Sequence, residues 1–331
     1  MAALGNHLRA SRRLLGGLLV STMLAPVPSR AAFPERLITI VVGFPPGSPN
    51  DVLGRAVAER LRQRVHQPVI VDNRPGAAGM TATLDFVNRA PRDGYRLIVG
   101  SVTLGTALAI RKNHPGFDAR EDLTPLAMIT MSPMAITIPS AVPAQTLEEF
   151  IGYVRARPGQ MNYASAGGVG GAVHLVSELF LRTAGLDMVH VPYPGSAAAV
   201  PAVMNNEVQL FIVDNSSVLG GLQSGRLRAL AVASRSRLET LPGVPTAAEA
   251  GLPFEAAAWY GLFAPKGIPD DVRATLEGHL SAILGDPSFQ AEIRSRGGIP
   301  GTLAGEAFRQ FIREEVVKWQ DVVSQANIPQ E

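Results

Sequence analysis

Two glycine-rich stretches hold the residue types best suited to chemistry. In residues 164–171 (ASAGGVGG), Ser165 and four glycines, Gly167, Gly168, Gly170 and Gly171, precede a helical pattern at 172–183. A helix N-terminus leaves its first four N–H groups without intrahelical partners and carries about half a positive charge. Glycines take positive φ and let backbone donors close on an anion. Ser165 adds a hydroxyl, and no acid or bulky side chain blocks approach. The stretch is neither GxxxxGK[ST] nor GxGxxG with a downstream ribose acid, so no nucleotide is indicated. The absence of Lys and Arg from it suits a carboxylate better than a phosphate. An ordinary tight βα connection has the same composition, and the residues alone leave both readings open.

The second stretch, residues 43–50 (GFPPGSPN), is stiffened by Pro45, Pro46 and Pro49 around Gly47 and Ser48, and Phe44 offers an apolar wall. Asn50 or Asp51 is expected to cap the helix that follows. In residues 73–79 (NRPGAAG), Arg74 is either an anion ligand or a tie between loops. Ser101 and Thr103 follow a predicted strand and offer hydroxyls at its carboxyl edge. Catalysis finds little support. Ser165 lacks a G-x-S-x-G elbow, and His174, His190 and Asp214 are triad partners in type only. There is no HExxH, and the absence of cysteine excludes thiolate metal sites, Fe–S clusters, disulfides and a Cys nucleophile. No cofactor or metal is expected.

These loops need elements to hold them. The 331 residues, 46% hydrophobic and 18% charged, suffice for two domains with real cores. Strands are predicted at 37–42, 69–71, 95–100, 126–138, 161–163, 188–191, 210–213, 227–233 and 257–264. Helices are predicted at 51–65, 80–89, 146–157, 172–183, 270–284, 287–296 and 305–326. Such alternation implies α/β layers with largely parallel sheets. Segment 38–72 runs strand, loop, helix, strand, and segment 161–192 repeats it. The helices share an apolar spacing, Val52, Leu53, Ala56, Val57 against Leu175, Val176, Leu179, Phe180. Two glycine-rich loops at the carboxyl ends of strands, facing each other, make a ligand cleft.

Charge is unevenly placed. The chain carries a net +2, but residues 1–31 contain four arginines and no acid. The remainder has 26 basic and 28 acidic residues, so neither nucleic acid nor an anionic membrane is an expected partner. Arg9, Arg12 and Arg13 followed by the apolar run 14–25 and small residues at 29–32 predict a cleaved export signal, ending near Ala31 or Ala32, and hence a periplasmic protein.

In order, Phe44-Pro45-Pro46-Gly47, Asn73-Arg74-Pro75-Gly76, Asp93-Gly94-Tyr95, Asn162-Tyr163-Ala164-Ser165-Ala166-Gly167, Val189-His190-Val191-Pro192-Tyr193 and Val244-Pro245-Thr246-Ala247-Ala248-Glu249-Ala250-Gly251 resemble the Bug proteins. These are periplasmic solute receptors of tripartite tricarboxylate transporters, and the likeness runs from about 33 to 329. The resemblance implies a type II periplasmic-binding-protein fold, two α/β lobes joined by crossover strands. Lobe 1 would be 33–131 plus 257–331 and lobe 2 132–256. It implies a monomer that binds a small carboxylate or amino-acid-like solute and serves a two-component inner-membrane permease. A ligand-sensing ectodomain for a kinase is the alternative, and an exported enzyme a weaker one. Carried over by position, the contacts are Phe44, Pro45, Pro46, Gly47, Ser48, Ser101, Thr103, Ser165, Ala166, Gly167, Gly168, Gly170, Gly171, Tyr193, Gly195 and Ser196. Asp214 either faces the ligand or caps the next turn. An acid introduced at Gly168 is expected to abolish carboxylate binding.

Overall fold

The computed structural model describes residues 33–110 and 116–325. The export segment expected at 1–31 lies outside them.

The chain first builds β1 (Ile38–Val42), α1 (Pro49–Val65), β2 (Val69–Asn73), α2 (Met80–Arg89), β3 (Arg96–Ser101) and α3 (Thr103–Ile110). It continues with β4 (Leu123–Pro139), α4 (Leu147–Arg155), β5 (Asn162–Ala166), α5 (Ala172–Ala184), β6 (Val189–Tyr193), α6 (Ser196–Met204), β7 (Leu210–Asp214), α7 (Asn215–Gln223) and β8 (Leu227–Val232). The last part is β9 (Ala257–Pro265), α8 (Asp270–Leu284), α9 (Pro287–Ser295), β10 (Ile299–Pro300) and α10 (Gly305–Gln325).

The strand order is β2-β1-β3-β9-β4-β7-β5-β6, with β8 and β10 also paired to β4. β1 lies between β2 and β3 and is parallel to both. β5 lies between β6 and β7 and is again parallel to both. The repeat in the sequence is therefore a repeat of topology. β4 joins the two groups. It pairs antiparallel with β9 as far as Pro133, then with β7 and β8 from Met134 onward.

Burial follows from this layering. Ile38, Ile40, Val41 and Val42 are all buried, as a parallel strand covered on both faces requires. Leu53, Val57 and Leu61 hold α1 to the sheet, and Gly54 lets it approach, since a Cβ there would lie 3.2 Å from Val42 and 3.3 Å from Val99. Val176 and Phe180 occupy the matching places on α5. Val52 does not join this core; it faces a groove described below. The last helix, α10, packs on α3 and β4. Its Glu315 is buried and accepts from both Trp259 Nε1 (2.9 Å) and Trp319 Nε1 (3.2 Å).

Three helices, α3, α6 and α7, escape the periodicity of the sequence. They are eight or nine residues long and rich in Ala, Gly and Ser, and Pro201 lies inside α6. Small residues on every face leave no apolar stripe to read.

Candidate functional site

The carboxyl ends of β1, β3, β5, β6 and β7 each lead directly into a helix, and the N-termini of these five helices converge on one small cavity of about 50 Å³. Ser48, Pro49 and Asn50 reach it from α1, and Ser101 and Thr103 from the turn into α3. Ala172 and Val173 open α5, Gly195 and Ser196 open α6, and Asp214 precedes α7. Phe44, Val102, Met134, Ala166, Gly167, Ala258 and Tyr260 complete the wall. No Lys, Arg or His lines it. What favours an anion there is instead the ends of α1, α3, α5 and α6, each worth about half a charge at the first-turn amides, while the α7 end is met by the Asp214 carboxylate.

Local sequence explains each support. Ser48 is the N-cap of α1, accepting from the Asp51 amide at 3.4 Å, with Pro49 at the first helical position, where a missing N–H costs nothing. This corrects the expected cap at Asn50 or Asp51. Asp51 instead accepts from Gly47 N–H (2.9 Å) and Asn73 Nδ2 (2.9 Å), while Asn73 also donates to the Phe44 carbonyl (3.1 Å). Burial pushes the Asp51 carboxyl up, but Arg55, Gly47 and Asn73 together hold it below its ordinary value. The 44–48 loop is thus laced to β2. Arg74 ties its turn to β2 and α2, pairing with Asp72 and Asp85 at 2.8 Å each. Ser101 Oγ and Thr103 Oγ1 lie 2.9 Å apart.

The 165–171 loop departs from expectation. Its amides are already engaged: Gly167 and Gly168 donate to the Tyr193 carbonyl (3.0 Å each), Gly170 to His174 Nδ1 (3.1 Å) and Gly171 to the Gly168 carbonyl (3.3 Å). The residues of α5 that line the cavity are Ala172 and Val173, whose first-turn amides have no intrahelical acceptor. The glycines shape the loop instead. Gly167, Gly168 and Gly170 all have positive φ, and a Cβ at Gly167 would sit 3.5 Å from the Phe44 ring.

Ser165 is fully buried and does not line the cavity. Its Oγ lies 2.7 Å from His190 Nε2 and 3.4 Å from the Gly168 carbonyl. A hydroxyl has one proton, so with that proton on the carbonyl, His190 Nε2 is the donor to Ser165. His190 stacks on both His174 (4.0 Å) and Tyr163 (4.9 Å), and the Tyr163 hydroxyl bonds Glu178. Burial, with the His174 charge, pushes His190 down to about 4, against the pull of Glu178. Sequence reasoning singled out Ser165, His174 and His190 as triad types; the fold joins them under the loop as its support.

Asp214 caps α7, accepting from Ser217 N–H (3.1 Å), Ser217 Oγ (2.9 Å) and Ser216 Oγ, with the Tyr260 phenol acting on it from β9. Burial pushes this carboxyl up although all four donors oppose it. Those donors fill the four acceptor positions of a carboxylate. The wall position therefore carries a capped carboxylate with its lone pairs already occupied.

The other predicted contacts lie around this cavity. Gly47 lines a larger compartment next to it. Pro45 and Gly168 border an outer recess, and Gly170 a side recess. Pro46 is exposed, Gly171 is the N-cap of α5, and Tyr193 acts through its carbonyl. Asn50, Ala172, Val173 and Tyr260 line the cavity without having been singled out as contacts. The signal for Ala172 and Val173 was present, because they directly follow the glycine run. Among the described residues no cluster of His, Asp or Glu has the arrangement to hold a metal ion.

The family model of the tripartite tricarboxylate transporter family receptor matches residues 53–328. The chain belongs to that family. Among curated relatives, Protein BugT of Bordetella pertussis is 33% identical over 312 residues, covering 93% of this chain and 94% of the relative. Among solved structures, R. palustris Rpa4515 with adipate aligns with a TM-score of 0.85 at 31% identity, covering 89% of this chain and 98% of that one. MatC from Rhodopseudomonas palustris with bound malate aligns at 0.82 and 31%, covering 88% and 100%. The receptor family and the two-lobe α/β fold of periplasmic binding proteins accord with the resemblance read from the sequence.

Proposed function

We propose that this receptor captures a small carboxylate outside the inner membrane and delivers it to a two-subunit membrane permease. The observation that carries this is the convergence of five helix N-termini on one cavity without a lysine or arginine. The adipate and malate bound by structural relatives support the ligand class. The lobes would be 33–131 with 257–331, and 132–256, hinged where β4 changes partners at Pro133–Met134 and where β9 begins at Ala257.

In this reading the carboxylate first meets one lobe, through the α1 and α3 ends or through the α5 and α6 ends. Contacts to the other form on closure, so the ligand shifts an open–closed equilibrium by its differential affinity. Micromolar capture needs about −8 kcal/mol in total, part of which offsets the closure cost. Gly167 against Phe44, and Gly195 with a Cβ position 3.8 Å from Pro45, are where the lobes meet. Small-angle scattering of residues 33–331 with and without a bound acid tests closure: the radius of gyration falls on binding, and an unchanged value overturns it.

A further inference from the structure

The central cavity, at about 50 Å³, has room for little more than a carboxylate group, because one water's share of liquid is about 30 Å³. Next to it lies a compartment of about 460 Å³, and Pro49, Ser196 and Tyr260 line both. For scale, an apolar cavity of about 150 Å³ suffices to hold benzene. Whatever carries the carboxylate has to place its remaining atoms there.

The walls of that compartment are apolar on four helices: Val52 and Leu53 on α1, Val200 on α6, Leu219 on α7 and Ile293 on α9. Most of its hydroxyls are committed. Ser216 and Ser217 bond Asp214, Thr130 bonds the Ile299 carbonyl at 2.9 Å, and Ser295 bonds the Glu292 carbonyl at 2.8 Å. Ser132 Oγ, 2% exposed as a residue, is buried and has no partner, and Ser196 and Gln223 also line the compartment. Arg296 stands among the lining residues with its guanidinium 3.1 Å from Glu292, a carboxylate that it shares with Arg60 at 2.8 Å.

We infer that the solute is a carboxylic acid with a ring-sized apolar body, its carboxylate held by the helix ends and its body packed among Val52, Leu53, Val200, Leu219 and Ile293. Ser132 meets at most one hydrogen-bonding substituent on that body. The inference rests on the carboxylate-capture reading and deepens it. A short polar di-acid leaves the apolar walls of this compartment wet. A ring buries apolar surface on α1 and α9 from one side and on α6 and α7 from the other.

The test is calorimetric titration of residues 33–331 with phenylacetate, acetate, malate and adipate. Burying one aromatic ring is worth on the order of 30- to 100-fold in affinity, so phenylacetate is expected to bind tighter than acetate by that ratio and tighter than malate or adipate. Val200→Glu, and independently Leu219→Gln on a different helix, are expected to shrink the phenylacetate-to-acetate ratio at least tenfold. Malate or adipate binding as tightly as phenylacetate, or a ratio unmoved in both variants, overturns the inference while carboxylate capture stands. Failure of all four acids to bind overturns the capture reading together with it.

Discussion

His190 Nε2 lies 2.7 Å from Ser165 Oγ, and through that hydroxyl the imidazole reaches the Gly168 carbonyl of the glycine-rich loop. A pair that resembles catalytic machinery in type serves here as an internal brace. The hydroxyl is fully buried and spent on its own loop.

The brace has a pH consequence. The folded chain holds His190 at about 4, below the ordinary value of 6.5, so between these values the unfolded chain binds the extra proton. Stability therefore falls as pH drops from about 6.5 to about 4 and levels off below. Partial exposure screens part of the effect, leaving on the order of 1–2 kcal/mol. Thermal melts from pH 7.5 to 3.5 check this against His190→Gln, which should lose this component of the slope. Identical profiles for the two proteins would count against the brace.

An acid at the α5 end should occupy the anion site. Ala172→Asp puts a carboxylate where helix N-termini favour it, so the fold tolerates it, yet it fills and neutralises the cavity. Loss of carboxylate affinity by at least about 100-fold is expected in titration calorimetry. Gly168→Asp strains the loop at its positive φ, yet in the folded variant it is expected to cost less than about tenfold in affinity, because a Cβ there meets nothing within 4 Å and the residue borders the outer recess. This replaces the expectation drawn for Gly168 from the sequence. Equal losses would return the anion to the glycine loop.

Binding should be insensitive to salt. With no lysine or arginine at the cavity, and helix ends that are buried and close, screening at a Debye length of about 8–10 Å has little to act on. Affinity between 20 and 300 mM NaCl is expected to change by less than about threefold. A tenfold loss would reveal a formal cation in the site.

Asp214 and Tyr260 are expected to be coupled. Asp214→Asn turns an amide toward hydroxyl and N–H donors and costs about 1–3 kcal/mol, and Tyr260→Phe removes one donor and costs about 1 kcal/mol. In denaturant melts the double variant should fall short of the sum by at least about 0.5 kcal/mol. Strict additivity would show that the phenol and the carboxylate do not interact.

Much of the fold was legible because it rests on regular patterns. The matched spacing in α1 and α5 fixed two helices that pack on parallel strands, and both bear it out at Leu53/Val176 and Val57/Phe180. Val52, in the same spacing, lines the compartment instead, since a helix face beside a cleft is as apolar as one on the sheet. α3, α6 and α7 were missed, and they supply three of the five helix ends at the site. A helix of small residues shows no stripe, and its N-terminus is visible only once the strand before it has an end.

Residue order by itself determined the family, the α/β repeat and the two glycine-rich approaches, because these depend on local spacing and on backbone freedom. The tertiary structure alone decided which donors face the cavity. The amides of Gly167, Gly168, Gly170 and Gly171 became part of the loop's own fabric, and Ala172 and Val173, with first-turn amides that lack an intrahelical acceptor, line the cavity. The reason is that hydrogen-bond partners distant in sequence, such as the Tyr193 carbonyl and the His190 ring, claim donors that composition cannot distinguish from free ones.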